Sequence, residues 1–88
     1  MKIISFEQSA LQDYITWSSL DKNIFKKINK LIKDILRSPF EGEGKPEALK
    51  YEMSGYWSRR ISDSDRLVYK VENETVLIIQ CKGHYSDK

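Results

Sequence analysis

The chain changes its apolar pattern near the middle. Ile24, Ile28, Leu31, Ile32 and Ile35 recur at helical spacing between a start signal at Asp21 and a stop at Ser38-Pro39, which predicts an amphipathic helix and is the strongest local signal in the sequence. Ahead of it, residues 2–6 read as a short strand. Ser5, with Gln8 three residues on, fits a capping box opening a first helix, on which Leu11, Tyr14, Ile15 and Ser18 would share one face. The last third is β-like. Stretches 56–61, 66–71 and 75–82 are rich in β-branched and aromatic residues, and Ser62-Asp63-Ser64-Asp65 and Glu72-Asn73-Glu74 separate them as turns. The predicted order is β-α-α-β-β-β: an α+β fold in which two N-terminal helices pack on one face of a small, largely antiparallel sheet and leave the other face for a ligand.

Between positions 38 and 55, Pro39, Gly42, Gly44, Pro46 and Gly55 punctuate a long loop. A loop of that length in a small domain is more often functional than idle.

Composition narrows the picture further. At 88 residues the chain makes one domain, residues 1–88, with one core, so a surface groove is the natural site. No apolar run approaches the roughly 20 residues of a bilayer span. Glu7 interrupts any signal-like start, so a soluble cytoplasmic protein without membrane association is expected. Cys81 is the only cysteine, which rules out an intrachain disulfide or a Cys-based zinc site; its apolar run, Val76 to Cys81, marks it as a buried small hydrophobe. The net charge of +2 is too small to demand a polyanionic partner. Its distribution says more: Lys22, Lys26, Lys30, Lys33 and Arg37 form a stripe opposite the apolar face of the second helix. Such a stripe is ordinarily a solvated face, and the alternative is a phosphate-facing surface.

Cutting RNA without a metal needs a base for the ribose 2′-OH, cations for the charged phosphorane and an acid for the departing 5′ oxygen. Candidates exist for each. Glu47 follows the rigid Pro46 and lies near Lys45 and Lys50, whose charges favour a carboxylate ready to accept a proton. His84 is the only imidazole, of a type with an unperturbed pKa of about 6.5. Arg66 starts one strand while Arg59 and Arg60 end its neighbour; strand alternation sends Arg59 and Arg60 to opposite faces, so one of them joins Arg66 on phosphate. Tyr85, Tyr56 and Trp57 are candidate base-stacking rings. Taken singly each signal is weak: a lone histidine is usually a bystander, a loop glutamate is usually solvated, and strand aromatics usually pack.

The order and spacing of the motifs carry more. Pro39-Phe40-Glu41-Gly42, Gly44-Lys45-Pro46-Glu47, Leu49-Lys50, Trp57-Ser58-Arg59-Arg60-Ile61, Arg66-Leu67-Val68-Tyr69 and His84-Tyr85 together resemble the YoeB-type toxins of the RelE/ParE superfamily over nearly the whole chain. The resemblance implies a type II toxin–antitoxin toxin that binds the 70S ribosome and cleaves mRNA in the A site, without a metal or other cofactor, leaving a 2′,3′-cyclic phosphate. It implies Glu47 as general base, Arg66 as phosphate-stabilising residue, His84 as general acid and Tyr85 as terminal aromatic, with Lys50 and Arg60 as further cationic positions. It also implies a YefM-type antitoxin as partner and makes a homodimer plausible. Two departures stand out: Ser86-Asp87-Lys88 follow His84-Tyr85, and Lys82-Gly83 replace the bulkier pair common before them. Competing classes are a ParE-like gyrase inhibitor without catalysis and a plain RNA-binding module.

Overall fold

The computed structural model describes residues 2–83. Strand β1 (Ile3–Phe6) leads into helix α1 (Gln8–Leu20) and helix α2 (Lys22–Arg37); strands β2 (Glu47–Ala48), β3 (Tyr56–Arg60), β4 (Arg66–Glu72) and β5 (Thr75–Gln80) follow, with a 3-10 turn at Tyr51–Met53. The five strands lie in the order β1-β5-β4-β3-β2. β1 runs parallel to β5, and every other pairing is antiparallel. The α+β reading of two helices on a mostly antiparallel sheet therefore holds.

Helix α2 forms as its period predicts. Asp21 caps it, its Oδ1 accepting from the backbone N–H of Asn23 at 3.0 Å and of Ile24 at 3.1 Å. Ile28, Leu31 and Ile35 are fully buried against Leu67, Tyr69, Val76 and Ile78 of the sheet. Each such side chain contributes about 1.5–3 kcal/mol of burial. The lysine stripe, Lys22, Lys26, Lys30 and Lys33, with Arg37, is exposed on the far side.

Helix α1 departs from the expectation. Ser5 belongs to β1, and the N-cap is Glu7, which makes no side-chain capping bond. The backbone N–H of Glu7 donates instead to Ile78 O at 2.9 Å, so the chain leaves the sheet there and the helix starts two residues later than a Ser5 cap would place it. Its buried face is also turned by one residue, about 100°. Ala10 and Trp17 face the core, while Leu11 and Ile15 are 41% and 59% exposed. Trp17 decides the orientation: its large ring is buried, and its indole N–H donates to Cys81 O at 2.9 Å.

The 38–55 segment is not all loop, since β2 pairs there as a two-residue edge strand. Among the described residues, no helix is long and apolar enough to cross a membrane.

Candidate active site

Residues directly opposite each other in an antiparallel pair share a face, so the registers show which side chains meet. Trp57 opposite Tyr69 and Arg59 opposite Leu67 belong to the helix side. On the helix-free side, Glu47 of β2, Ser58 of β3, Val68 of β4 and Gln80 of β5 form one row across four strands. Arg60 and Arg66 form the adjacent row. Tyr56 and Lys70 form the row beyond Ser58, with the Lys70 ammonium 5.4 Å from the Tyr56 ring centre. A carboxylate and two guanidinium groups thus emerge together on the face that the helices leave uncovered. Glu47 and Arg60 are exposed and Arg66 is half-buried.

Among the described residues, Arg66 is oriented from one end only. Its Nη1 donates to Ser62 O at 3.0 Å and to Asp65 O at 3.3 Å, and its Nε and Nη2 have no partner among the described residues. Toward the described residues, that leaves a guanidinium edge whose fork suits a phosphate oxygen pair. Lys50 is exposed just past β2. The chain returns to this corner at Gly83, whose carbonyl accepts from the Arg66 backbone N–H at 3.0 Å and from Gln80 Nε2 at 3.0 Å, and whose N–H donates to Asp65 Oδ1 at 2.7 Å. His84 and Tyr85 lie outside the described residues.

Of the two adjacent arginines, the structure separates the roles sharply. Arg59 is 0% exposed, and all five of its N–H donors are engaged within the protein. Nε donates to Tyr69 Oη, Nη1 to Asp34 Oδ2 and Glu43 O, and Nη2 to Ser38 O and Glu41 O. Nothing remains for a phosphate, so Arg59 leaves the set of RNA-binding candidates and Arg60 stays in it. Trp57 likewise packs on Phe40, with ring centres 4.9 Å apart on the helix side, and is not a base platform. Tyr56 keeps its place on the helix-free side.

Residues 6–85 match the family model for the YoeB-like toxin of bacterial type II toxin-antitoxin system. The chain belongs to this family. It is 55% identical to Toxin YoeB of Escherichia coli K12 over 85 residues, 97% of this chain and 100% of that one. Its fold superposes on the YoeB/ParE toxin from Agrobacterium tumefaciens with a TM-score of 0.93 at 45% identity, covering 97% and 100% of the two chains. It superposes on a chain of the YoeB-YefM complex from Staphylococcus aureus with a TM-score of 0.88 at 44% identity, covering 97% and 99%.

In this YoeB-like toxin the sequence offers Tyr69 only as a packing aromatic and gives Asp34 no role, and the structure joins both to Arg59. Asp34 is nearly buried, and its carboxyl is held down at about 2, first by the Glu43 backbone N–H and then by Arg59 and Arg37. Tyr69 is fully buried; burial pushes its phenol up, and its hydroxyl donates to Pro39 O at 2.6 Å. A signal for Asp34 existed: it follows Leu31 by three and precedes Ile35, which places an acid on the apolar stripe, where it requires a cationic partner. Cys81 is fully buried, as its apolar run suggests, and burial, with smaller contributions from Asp13 and Asp65, pushes its thiol up to about 12. Among the described residues, no cluster of His, Cys, Asp and Glu could hold a metal ion.

Proposed function

We propose that this YoeB-like toxin is an endoribonuclease that cleaves mRNA on the ribosome and so stops translation. The observation that carries the reading is the placement of Glu47, Arg60 and Arg66 in neighbouring rows of one helix-free sheet face. Glu47 takes the proton from the ribose 2′-OH. The resulting alkoxide attacks the adjacent phosphorus, and Arg66, with Arg60 and Lys50, binds the equatorial oxygens of the phosphorane. His84 gives its proton to the 5′ oxygen as the P–O bond breaks, leaving a 2′,3′-cyclic phosphate and a 5′-OH. Every step is a proton transfer or an attack at phosphorus, so no electron acceptor enters.

Tyr85 stacks on the base or bonds the phosphate, and the exposed stripe of α2 adds rRNA phosphate contacts that weaken with salt. The partner that restrains the toxin is a YefM-type antitoxin, as in the Staphylococcus aureus complex. Self-association is a further expectation, read by sedimentation of the free toxin. The proposed target places the protein in the cytoplasm.

The test is cleavage of a defined mRNA, with and without 70S ribosomes positioned on it, by wild type, Glu47→Ala and His84→Ala in EDTA. Cutting in the A site with a cyclic phosphate end, lost in either variant, supports the reading. Intact mRNA together with inhibition of DNA supercoiling would replace it with a gyrase-directed toxin.

A further inference from the structure

The chain between α2 and β2 is held from the helix side by one buried guanidinium. Arg59 Nη2 binds Ser38 O at 2.7 Å and Glu41 O at 3.1 Å, and Nη1 binds Glu43 O at 3.0 Å. Tyr69, itself bonded to Arg59, takes Pro39 O. Asp34 completes the hold by accepting the Glu43 N–H at 3.0 Å. The next carbonyl along, Gly44 O, accepts from the Arg60 backbone N–H at 2.6 Å. Only Lys45, at φ +51°, and Pro46 separate that bond from Glu47, which pairs with Ser58. Ser58, Arg59 and Arg60 are consecutive on β3, so one short stretch of strand grips the loop at three successive points.

We propose that Arg59, with Asp34 and Tyr69, is the positioning device for the Glu47 carboxylate. This rests on the assignment of Glu47 as general base. Three arguments support it. First, a buried ion pair is not a cheap way to stabilise a fold, because apolar residues of similar volume do as well or better; what this pair supplies is a template for loop carbonyls. Second, β2 has two residues and sits at the sheet edge, so its own ladder is too short to fix where Glu47 emerges. Third, loop and clamp are fitted to one another. Gly42 lies at φ +123°, and a Cβ there would collide with Asp34 Oδ2. Gly44 lies at φ +79°, and a Cβ there would press on Arg60 O, Leu31 and Arg59 at 3.0–3.1 Å. Strand alternation then lets Arg59 grip from the helix side while Ser58 and Arg60 face the substrate side, so the clamp occupies none of the reacting space.

The test is a double-mutant cycle on ribosome-bound mRNA cleavage, with single-turnover rates. Asp34→Leu/Arg59→Met removes both charges at similar volume, and Glu47→Ala is placed in wild type and in that variant. In wild type, Glu47→Ala is expected to cost about 10²- to 10⁴-fold. The clamp variant alone is expected to lose most of that in kcat with KM changed less than about threefold, and adding Glu47→Ala to it to cost less than about tenfold more. A purely structural role predicts the same Glu47→Ala factor in both backgrounds, and that result overturns the inference. So does a clamp variant that cleaves like wild type. Where circular dichroism shows that the double variant does not fold, Tyr69→Phe replaces it in the cycle: it keeps the ring and removes the hydroxyl, and full additivity with Glu47→Ala is again the overturning outcome. A wild type indifferent to Glu47→Ala removes the base assignment and this inference together, whereas additivity removes this inference alone.

Discussion

Arg60 and Arg66 are direct partners across β3 and β4, so two guanidinium groups leave the same face from opposed backbone positions. Like charges directly opposite each other destabilise a sheet. Such a pair is tolerated where an anion completes it.

Accordingly, inorganic phosphate or sulfate is expected to raise the Tm of wild type more than that of Arg66→Ala, measured by scanning calorimetry at fixed ionic strength. Cleavage by Arg66→Ala is expected to fall by about 10²- to 10³-fold, the usual cost of losing a transition-state donor. Equal stabilisation of both proteins by the anion would remove the phosphate seat from this corner.

The two adjacent arginines should separate in stability as they do in burial. Arg59→Ala leaves Asp34 and several loop carbonyls without their donor and is expected to cost about 3–5 kcal/mol in urea unfolding. Arg60→Ala, at an exposed position, is expected to stay within about 0.5 kcal/mol of wild type. Similar losses in both would contradict the assignment of one to the interior and one to the ligand.

Acid should weaken the clamp with a definite sign. The Asp34 carboxyl lies at about 2 in the fold against an ordinary 3.8, so its contribution is complete above about pH 4 and is lost as pH falls toward 2. Asp34→Asn is expected to be less stable than wild type at pH 7, and the gap is expected to narrow between pH 4 and pH 2. A gap that is constant across that window would show that the carboxylate is not what the arginine needs.

Cys81 should be inert in the native toxin. Its thiol is buried and pushed up to about 12, so little thiolate exists near neutrality. Native protein at pH 8 is expected to resist an aromatic disulfide reagent over hours and to react at once in guanidinium. Rapid native labelling would mean that the α1–β5 contact around Ala10 and Trp17 opens readily.

Much of this architecture was legible before any coordinates. The period of α2, its Asp21 cap and its stop before Pro39 are local properties, and local properties are what a sequence displays directly. The strand pairing that brings Arg60 beside Arg66 followed from a single short turn. What stayed hidden depends on long-range packing. The buried face of α1 is chosen by Trp17 reaching Cys81, 64 positions away, not by Leu11 and Ile15. Strand alternation showed that Arg59 and Arg60 diverge, yet only the position of Asp34 on the neighbouring helix decides which of them turns inward. The pairing of Glu47 with Ser58 was also beyond reach, since a two-residue strand carries no period of its own.

The parallel pairing of β1 with β5 joins the earliest described strand to the latest. During synthesis, Glu47, Arg60 and Arg66 are therefore all polymerised before the strand that ties β1 to the rest of their sheet. A nascent chain that stops short of β5 holds these side chains but not the frame that aims them together. The sheet that sets their registers closes only once residues 75–80 have been added.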